Sequence, residues 1–452
     1  MVIYQHRAKP DRVGLVLAAA TVALLAGIVV AALTGLLDHV SLLNRWAAAG
    51  CELAGGGLLI ASWLRPDARW LLRSLPILLV SVAVLVGLIA LLLRVTGTVT
   101  DPYPPSFAVW VFAAFAAIAT APFAASRRAE PLRWRSLAAL AAVALTLTGG
   151  FMLIIQEYGI WPTVGDVVGH AGVIDGNRAQ EYLAGGSKSV PGGVILALDA
   201  PSTKSHFHHR KGVVFLPPAY FGPDRANLPV LVMLVGAPGT PINWLTAGGG
   251  KAADNAFASA HHGVAPVLVV VDQNGSAIGD TECVNGPQGN AETYLTVDVP
   301  AFITGTLHLR HNPAQWGIVG FSEGGTCALD VVLGHASVYR HIVDLGGDAR
   351  PTLGNARHTL TALFGGSVAA EHAHDPTALM AAHHFTGVTA WFAAGADDPG
   401  RLAVARRMAA HARTAGIDTH EFIGIGGHNW QFAGNAFIRV LPQLCGQLGI
   451  AT

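Results

Sequence analysis

The chain is 452 residues long, and its 28 basic and 28 acidic side chains cancel, so it lacks the bulk positive charge that attracts nucleic acids. Only 12% of the residues are charged, whereas 52% are hydrophobic. Because soluble globular proteins carry about 25% charged residues, this composition argues against intrinsic disorder and against an ordinary cytosolic enzyme.

The hydrophobic residues are concentrated before about residue 157, in runs long enough to cross a bilayer, which takes about 20 residues of helix. The second run is the weakest because Glu52 interrupts it, so four crossings remain an alternative to five. The predicted spans are Val13–Leu36, Trp46–Leu64, Leu75–Leu93, Phe107–Ala125 and Leu137–Ile155.

The links between these runs alternate in charge. The N-terminal stretch and the links after the second and fourth runs are basic, whereas the other two links hold only Arg45 and Arg94 at their edges. Lys and Arg accumulate in short cytoplasmic loops. We therefore predict a cytoplasmic N-terminus and an extracytoplasmic location for everything after the fifth span.

The composition changes after the last span, which predicts a membrane domain at 1–157, a linker at 158–191 and an extracytoplasmic domain at 192–452. In the last domain, short Val-rich runs alternate with stretches of helical length. This pattern predicts a mostly parallel, doubly wound sheet after an α-helical transmembrane bundle. The predicted strands are Val194–Leu198, Val213–Leu216, Val230–Val235, Val267–Val271, Trp316–Val319, His341–Leu345, Val388–Ala393 and Glu421–Ile425.

The sequence Gly-Phe-Ser-Glu-Gly at 320–324 follows the strand at Trp316–Val319 and precedes a helical stretch. Between a strand and a helix, the pattern G-x-S-x-G places a serine on a sharp turn, and its glycines let the neighbouring backbone approach. We therefore predict that Ser322 is a nucleophile. A purely structural turn is the alternative.

A catalytic serine needs a base and an acid that orients the base, and this type of sheet supplies them in the order serine, acid, histidine. His428 follows the last strand in a Gly-Gly-His loop, and we predict that it is the general base and acid. Asp398 follows the strand at Val388–Ala393 and is predicted to orient the imidazole. Asp397 is its rival, and we expect the losing carboxylate to cap the next helix.

An oxyanion hole for this serine requires two backbone N–H groups. One is expected from Glu323, the residue after the nucleophile. The other is expected in the loop after the strand at Val230–Val235, where Pro238 has no N–H and Ala237 is the candidate. A plain Gly-Pro turn is the alternative.

These residues resemble the putative-esterase family of α/β-hydrolases, which includes esterase D-like enzymes, feruloyl esterases and the mycolyltransferases of mycobacteria. The resemblance runs from about Val194 to the C-terminus and leaves out the membrane part. It implies an α/β-hydrolase fold and hydrolysis or transfer of an ester's acyl group through an acyl-serine. The family's acid stands three residues after a glycine such as Gly395, which favours Asp398. The matching segments are Val214–Tyr220, the loop after Val235, Glu292–Leu295 ahead of Val299–Pro300, the turn at Ser322, Gly395–Asp398 and Gly427–Trp430.

The loop after the third strand departs from the mycolyltransferases. Those enzymes carry an acidic residue and an arginine for trehalose where this chain has Val235 and Pro238. We therefore do not expect trehalose mycolylation, while acyl transfer to another acceptor stays open.

Two cysteines of the outer domain are candidates for a disulfide, because thiols outside the cytoplasm can oxidise. Cys283 is in a loop expected near the active-site edge, and Cys327 begins the helix after Ser322. Buried free thiols are the alternative. The cysteine spacing predicts no metal site and no cofactor is implied. We interpret two histidine clusters as solvated surface residues: His206, His208 and His209, and His372, His374, His383 and His384.

Two classes of function compete for this sequence. The first is a membrane-tethered serine esterase or acyltransferase that acts outside the cytoplasm on a lipid or envelope ester. The second is a non-catalytic membrane protein whose hydrolase-like domain binds envelope components or another protein. Labelling of Ser322 by a fluorophosphonate separates the two classes. A transporter is disfavoured because five spans lack repeat symmetry.

Overall fold

The computed structural model describes residues 27–63, 70–95, 105–125, 133–168, 172–184 and 190–451. Most of the first predicted span, Val13–Leu36, lies outside these residues. The described residues fall into two compact units. The first unit lies within Met1–Glu157 and Pro162–His170, and the second lies within Tyr158–Trp161 and Ala171–Thr452.

The first unit is helical. Residues 27–33 are helical, and a π-helical turn at Trp70–Ser74 runs directly into the next helix. The remaining helices are α1 (Arg45–Trp63), α2 (Leu75–Val95), α3 (Pro105–Ala125), α4 (Arg133–Tyr158) and α5 (Val164–Val168).

Within the described residues, two helical stretches are long and apolar enough to cross a membrane, Leu72–Leu92 and Ala138–Tyr158. They agree with the third and fifth predicted spans. Ala108–Thr120, in the fourth predicted span, is apolar but shorter. Two such helices are weak support for membrane association, and the five-span topology and its orientation stay predictions.

The second unit has ten strands: β1 (Val194–Leu198), β2 (Gly212–Leu216), β3 (Val230–Leu234), β4 (Val267–Val270), β5 (Asn285–Gly286), β6 (Gly289–Asn290), β7 (Trp316–Phe321), β8 (His341–Leu345), β9 (Thr389–Gly395) and β10 (Asp418–Gly424). Among the described residues, β5 pairs with β6, and the other eight form one sheet with the order β1-β2-β4-β3-β7-β8-β9-β10. The β1/β2 and β2/β4 pairs are antiparallel, and the other neighbours are parallel. The prediction of a mostly parallel sheet is therefore confirmed.

The strand β10 begins at Asp418, earlier than the predicted run at Glu421–Ile425. Its first residues are Asp-Thr-His-Glu, which are polar. Such residues are compatible with β10 because it is an edge strand with partly exposed faces. Apolar runs predict buried strands well, but they miss the polar half of an edge strand.

Both faces of the sheet are buried. Along β3, Val230, Val232 and Leu234 belong to one hydrophobic core, and Leu231 and Met233 belong to another. This alternation follows from the two-residue period of a strand. The helices that flank or connect the strands are α6 (Gly176–Leu183), α7 (Gly250–Ala260), α8 (Ala291–Thr293), α9 (Val299–Gly305), α10 (Glu323–Gly334), α11 (Ala356–Ala362), α12 (Val368–Ala373), α13 (Pro376–Ala382), α14 (Pro399–Thr414) and α15 (Trp430–Gln447).

Candidate active site

Ser322 lies on a strained turn between β7 and α10. Its φ of 58° and ψ of −124° are sparsely populated for a residue with a side chain, at a cost of about 1–3 kcal/mol. A Cβ on Gly320 would collide with the backbone of Gly324, so only glycine allows the strand and the helix to approach this closely. The local sequence therefore forms the strand, turn and helix that the G-x-S-x-G pattern predicts.

His428 lies on the loop between β10 and α15, and its Nε2 is 2.8 Å from Ser322 Oγ. The Phe321 ring packs beside the imidazole, with the ring centroids 5.0 Å apart. The backbone of Gly346 is also close, since a Cβ there would lie 3.2 Å from His428 Nδ1. The fold thus brings together two predicted site residues that are 106 positions apart in the sequence.

Asp398 approaches the other nitrogen of the imidazole. Its Oδ2 lies 3.6 Å from His428 Nδ1, which is longer than a hydrogen bond, although such contacts often shorten only when substrate binds. Its Oδ1 accepts a hydrogen bond of 3.1 Å from the N–H of Arg401 and caps α14. We expected the cap from the acid that does not face His428, whereas the structure has both contacts on Asp398, because the two oxygens of its carboxylate have different partners. Asp397 is exposed.

The two segments that carry the candidate oxyanion donors lie next to Ser322. Glu323 is the first residue of α10, and the first N–H groups of a helix have no partner within it. The loop that carries Ala237 passes beside the serine, because a Cβ on Gly236 would lie 2.8 Å from Ser322 Cβ. A cis peptide bond joins Ala237 to Pro238.

The end of the Ala237 loop is held by a partly buried ion pair that the sequence pattern does not reveal. The Asp272 carboxylate accepts hydrogen bonds from Arg210 Nη2 at 2.7 Å and Arg210 Nε at 2.9 Å. The guanidinium also donates to the carbonyl oxygen of Gly239, at 3.1 Å from Nη2. Arg210 therefore ties the loop to the end of β4, and Asp272 fixes the orientation of the guanidinium.

The sequence pattern also does not identify Gln273 and Asn274 as residues of the site. Gln273 Nε2 donates to the carbonyl oxygen of Val235 at 2.6 Å and to Glu323 Oε2 at 2.9 Å. Asn274 Nδ2 donates to the same Glu323 oxygen at 3.0 Å. Three consecutive polar residues directly after a buried strand were the available signal, because sites assemble at the carboxyl edge of such sheets.

Two buried carboxyl groups lie in this region. Burial raises the pKa of Glu323 well above its usual value, and the neighbouring Asp280 raises it further, while the hydrogen bonds from Asn274 and Gln273 lower it. Burial and the charges of Asp280 and Glu323 likewise raise the pKa of Glu282. A raised pKa favours the neutral acid, which avoids a negative charge beside the candidate oxyanion hole.

Cys283 and Cys327 form a disulfide with a Cα–Cα distance of 5.4 Å. The disulfide joins the loop before β5 to the beginning of α10. This helix starts directly after Ser322. These two sulfurs and the Glu323 carboxyl are the one group of potential metal ligands found among the described residues. Because the sulfurs are bonded to each other, neither is the thiolate that binds metal.

The prediction of solvated histidines is confirmed for five of the seven residues in the two clusters, whereas His209 is half-buried. His206, His208, His372, His383 and His384 are exposed, and His209 stacks on Tyr294 with the ring centroids 4.6 Å apart.

His374 is instead largely buried, and its Nδ1 lies 2.8 Å from Asp330 Oδ2 on α10. Its Nε2 is 3.9 Å from Glu292 Oε2, and the other oxygen of Glu292 is 2.7 Å from His335 Nε2. The prediction of a solvated His374 is therefore wrong. Its partners Asp330 and Glu292 are distant in the sequence, so the local pattern around His374 does not reveal them.

Known proteins match the second unit. A family model described as Putative esterase matches residues 203–444. An uncharacterized protein of Corynebacterium glutamicum is 33% identical over 244 residues, which make up 53% of this chain and 57% of the relative. The chain therefore matches little more than half the length of that relative.

Two solved structures are similar in fold. A ferulic acid esterase has a TM-score of 0.47 and 16% identity, covering 56% of this chain and 97% of its own. An S-formylglutathione hydrolase from Agrobacterium tumefaciens has a TM-score of 0.45 and 19% identity, covering 58% of this chain and 98% of its own.

Proposed function

The chain belongs to the Putative esterase family, and we propose that it is a membrane-tethered serine esterase or acyltransferase that acts outside the cytoplasm on a lipid or cell-envelope ester. The observation that carries the proposal is the 2.8 Å distance between His428 Nε2 and Ser322 Oγ, on a strand-turn-helix that presents the serine. A hydroxyl this close to an imidazole can transfer its proton as it attacks.

In the proposed first half-reaction, Ser322 Oγ attacks the carbonyl carbon of the ester and His428 Nε2 takes the hydroxyl proton. The electron pair of the carbonyl π bond moves onto the oxygen, where the N–H groups of Glu323 and Ala237 stabilise the negative charge. His428 then donates its proton to the leaving alkoxide. The alcohol departs and the acyl group remains on Ser322.

In the second half-reaction, water or an acceptor alcohol attacks the acyl-serine while His428 takes its proton. Collapse of the tetrahedral intermediate breaks the bond to Ser322 Oγ, which regains a proton from His428. The product is a free acid when water attacks and a new ester when an alcohol attacks. Asp398 stabilises the positive charge that His428 carries in both halves.

Three observations support a membrane-bound enzyme facing away from the cytoplasm. Two described helices have the length and composition to cross a membrane. The basic residues alternate between the predicted loops as expected for an outward-facing C-terminal domain. The disulfide between Cys283 and Cys327 is a feature of oxidising compartments. A tethered site remains close to an ester that cannot diffuse through water.

Labelling of the detergent-solubilised full chain with a fluorophosphonate tests the proposal. We expect labelling of the wild type and of Ser337→Ala, which removes an exposed serine of the same unit, and none of Ser322→Ala. Lipid profiles of envelope extracts treated with wild type or Ser322→Ala, with acceptor alcohols supplied, then identify the substrate and separate hydrolysis from transfer. Absence of label on folded wild type would favour a non-catalytic, envelope-binding protein.

A further inference from the structure

One side-chain nitrogen connects the two segments that carry the proposed oxyanion donors. Gln273 Nε2 lies 2.6 Å from the carbonyl oxygen of Val235, just before the loop that holds Ala237. The same nitrogen lies 2.9 Å from Oε2 of Glu323, whose backbone N–H is the other proposed donor. The Gln273 side chain is fully buried, so water does not compete for these bonds.

The orientation of the Gln273 amide follows from its neighbours. The carbonyl oxygen of Val235 can only accept a hydrogen bond, so the atom 2.6 Å away must be the NH2 group rather than the amide oxygen. Both amide hydrogens then have acceptors, one on each segment. A shorter or apolar side chain at this position would break both bonds together.

We propose that Gln273 is a positioning residue that sets the spacing between the two halves of the oxyanion hole. This inference rests on the proposed function. Donors stabilise the oxyanion only if they are already aligned when the charge develops. Arg210 holds the far end of the Ala237 loop at Gly239, and Gln273 holds the near end at Val235. Gln273 thus acts through Val235 and Glu323, and not on the substrate itself.

The test compares Gln273→Met with Asn274→Met in the full chain. Both variants replace a buried amide by a flexible apolar side chain and remove a hydrogen bond to Glu323 Oε2. Only Gln273→Met also releases the carbonyl oxygen of Val235. The measurements are kcat and KM for 4-nitrophenyl butyrate, the affinity for phenylboronic acid as a mimic of the tetrahedral intermediate, and the thermal unfolding midpoint.

For Gln273→Met we expect kcat to fall about 100-fold, the low end of the loss seen when an oxyanion donor is removed. KM should change less than about threefold, and boronate affinity should fall in parallel with kcat, because only tetrahedral species use the hole. Asn274→Met should lose much less kcat. Equal losses in the two variants, or a Gln273→Met enzyme that loses unfolding midpoint but not kcat, would overturn the inference.

Gln273→Glu serves if Gln273→Met does not fold. It keeps the side-chain length and, when protonated, offers one donor instead of two, so kcat should lie between wild type and a full loss. Wild-type kcat in this variant at every pH would contradict the positioning role. If the wild type itself neither hydrolyses the ester nor labels with a fluorophosphonate, the proposed function fails first, and the two failures are distinguishable.

Discussion

Asp398 faces His428 with one carboxylate oxygen, at 3.6 Å from Nδ1, and caps α14 with the other. The cap fixes the plane of the carboxylate before any substrate arrives. One side chain therefore faces the imidazole and also caps a sixteen-residue helix.

Asp398→Asn separates these two roles. Asparagine caps helices as well as aspartate does, so the unfolding midpoint should change little. An amide cannot stabilise the imidazolium as a carboxylate does, so kcat should fall by about 10³- to 10⁴-fold. Asp397→Asn is the matched control and should keep wild-type kcat. A large loss in Asp397→Asn with none in Asp398→Asn would reverse the assignment of the acid.

The Cys283–Cys327 disulfide should contribute strongly to stability. It closes a loop of 44 residues, and the chain-entropy model gives about 4 kcal/mol for such a loop. We expect Cys283→Ser/Cys327→Ser, and the reduced wild type, to unfold at lower denaturant concentration than the oxidised protein. Intact mass with and without reductant gives the redox state. Identical unfolding curves for both states would show that the link does not constrain the unfolded chain.

Asp254 is a buried acid on α7 and should destabilise the second unit at neutral pH. It is fully buried, and neither carboxylate oxygen has a hydrogen-bond partner among the described residues. Burial raises its pKa well above the usual value. Because the unfolded chain ionises at lower pH than the folded protein, stability should fall as the pH rises above the ordinary pKa of aspartate.

Asp254→Leu should therefore raise the denaturation midpoint at pH 8 more than at pH 4, and Asp254→Asn should remove the same pH dependence while retaining a buried polar group. Urea unfolding across this pH range measures both effects. The prediction would be contradicted if the denaturation midpoints of the wild type and of Asp254→Asn changed with pH in the same way.

The contacts of His374 predict that stability falls as the pH rises. Burial lowers the pKa of His374, but the hydrogen bond with Asp330 and the charges of Asp330 and Glu292 outweigh burial and raise it. A raised histidine pKa gives stability that is complete below the unfolded pKa of about 6.5 and is lost as the pH rises through the folded pKa. His374→Gln should lack this loss, whereas the exposed His372→Gln should behave as wild type in thermal unfolding between pH 5 and 9.

The proximity of Ser322 and His428 was predictable from short-range patterns. Ser322 stands in a motif with a defined strand and helix around it, and His428 follows a glycine pair after the last strand. Each needs only its own neighbours in the sequence to be recognised. The family resemblance favoured Asp398 through its spacing from Gly395, but the sequence did not show that one side chain both faces His428 and caps α14.

The supporting residues could not be predicted because they meet through the strand order. Arg210 and Asp272 are 62 residues apart, and they pair because β2 lies antiparallel to β4, with Val213 opposite Val270. The start of β2 thereby lies beside the end of β4. Apolar runs predict that strands exist, but they do not predict which strands are neighbours. The sequence around Arg210 therefore does not reveal that Asp272 is its partner.

The helix α10 is linked to its surroundings at two positions one turn apart, by the disulfide at Cys327 and by the hydrogen bond between Asp330 and His374. Residues with this spacing lie on one side of a helix, so the two links restrain the same side of α10. Ser322 directly precedes this restrained helix as its N-cap residue. Reduction breaks the disulfide, and alkaline conditions remove the proton from His374. We expect the two changes together to destabilise α10 more than either does alone.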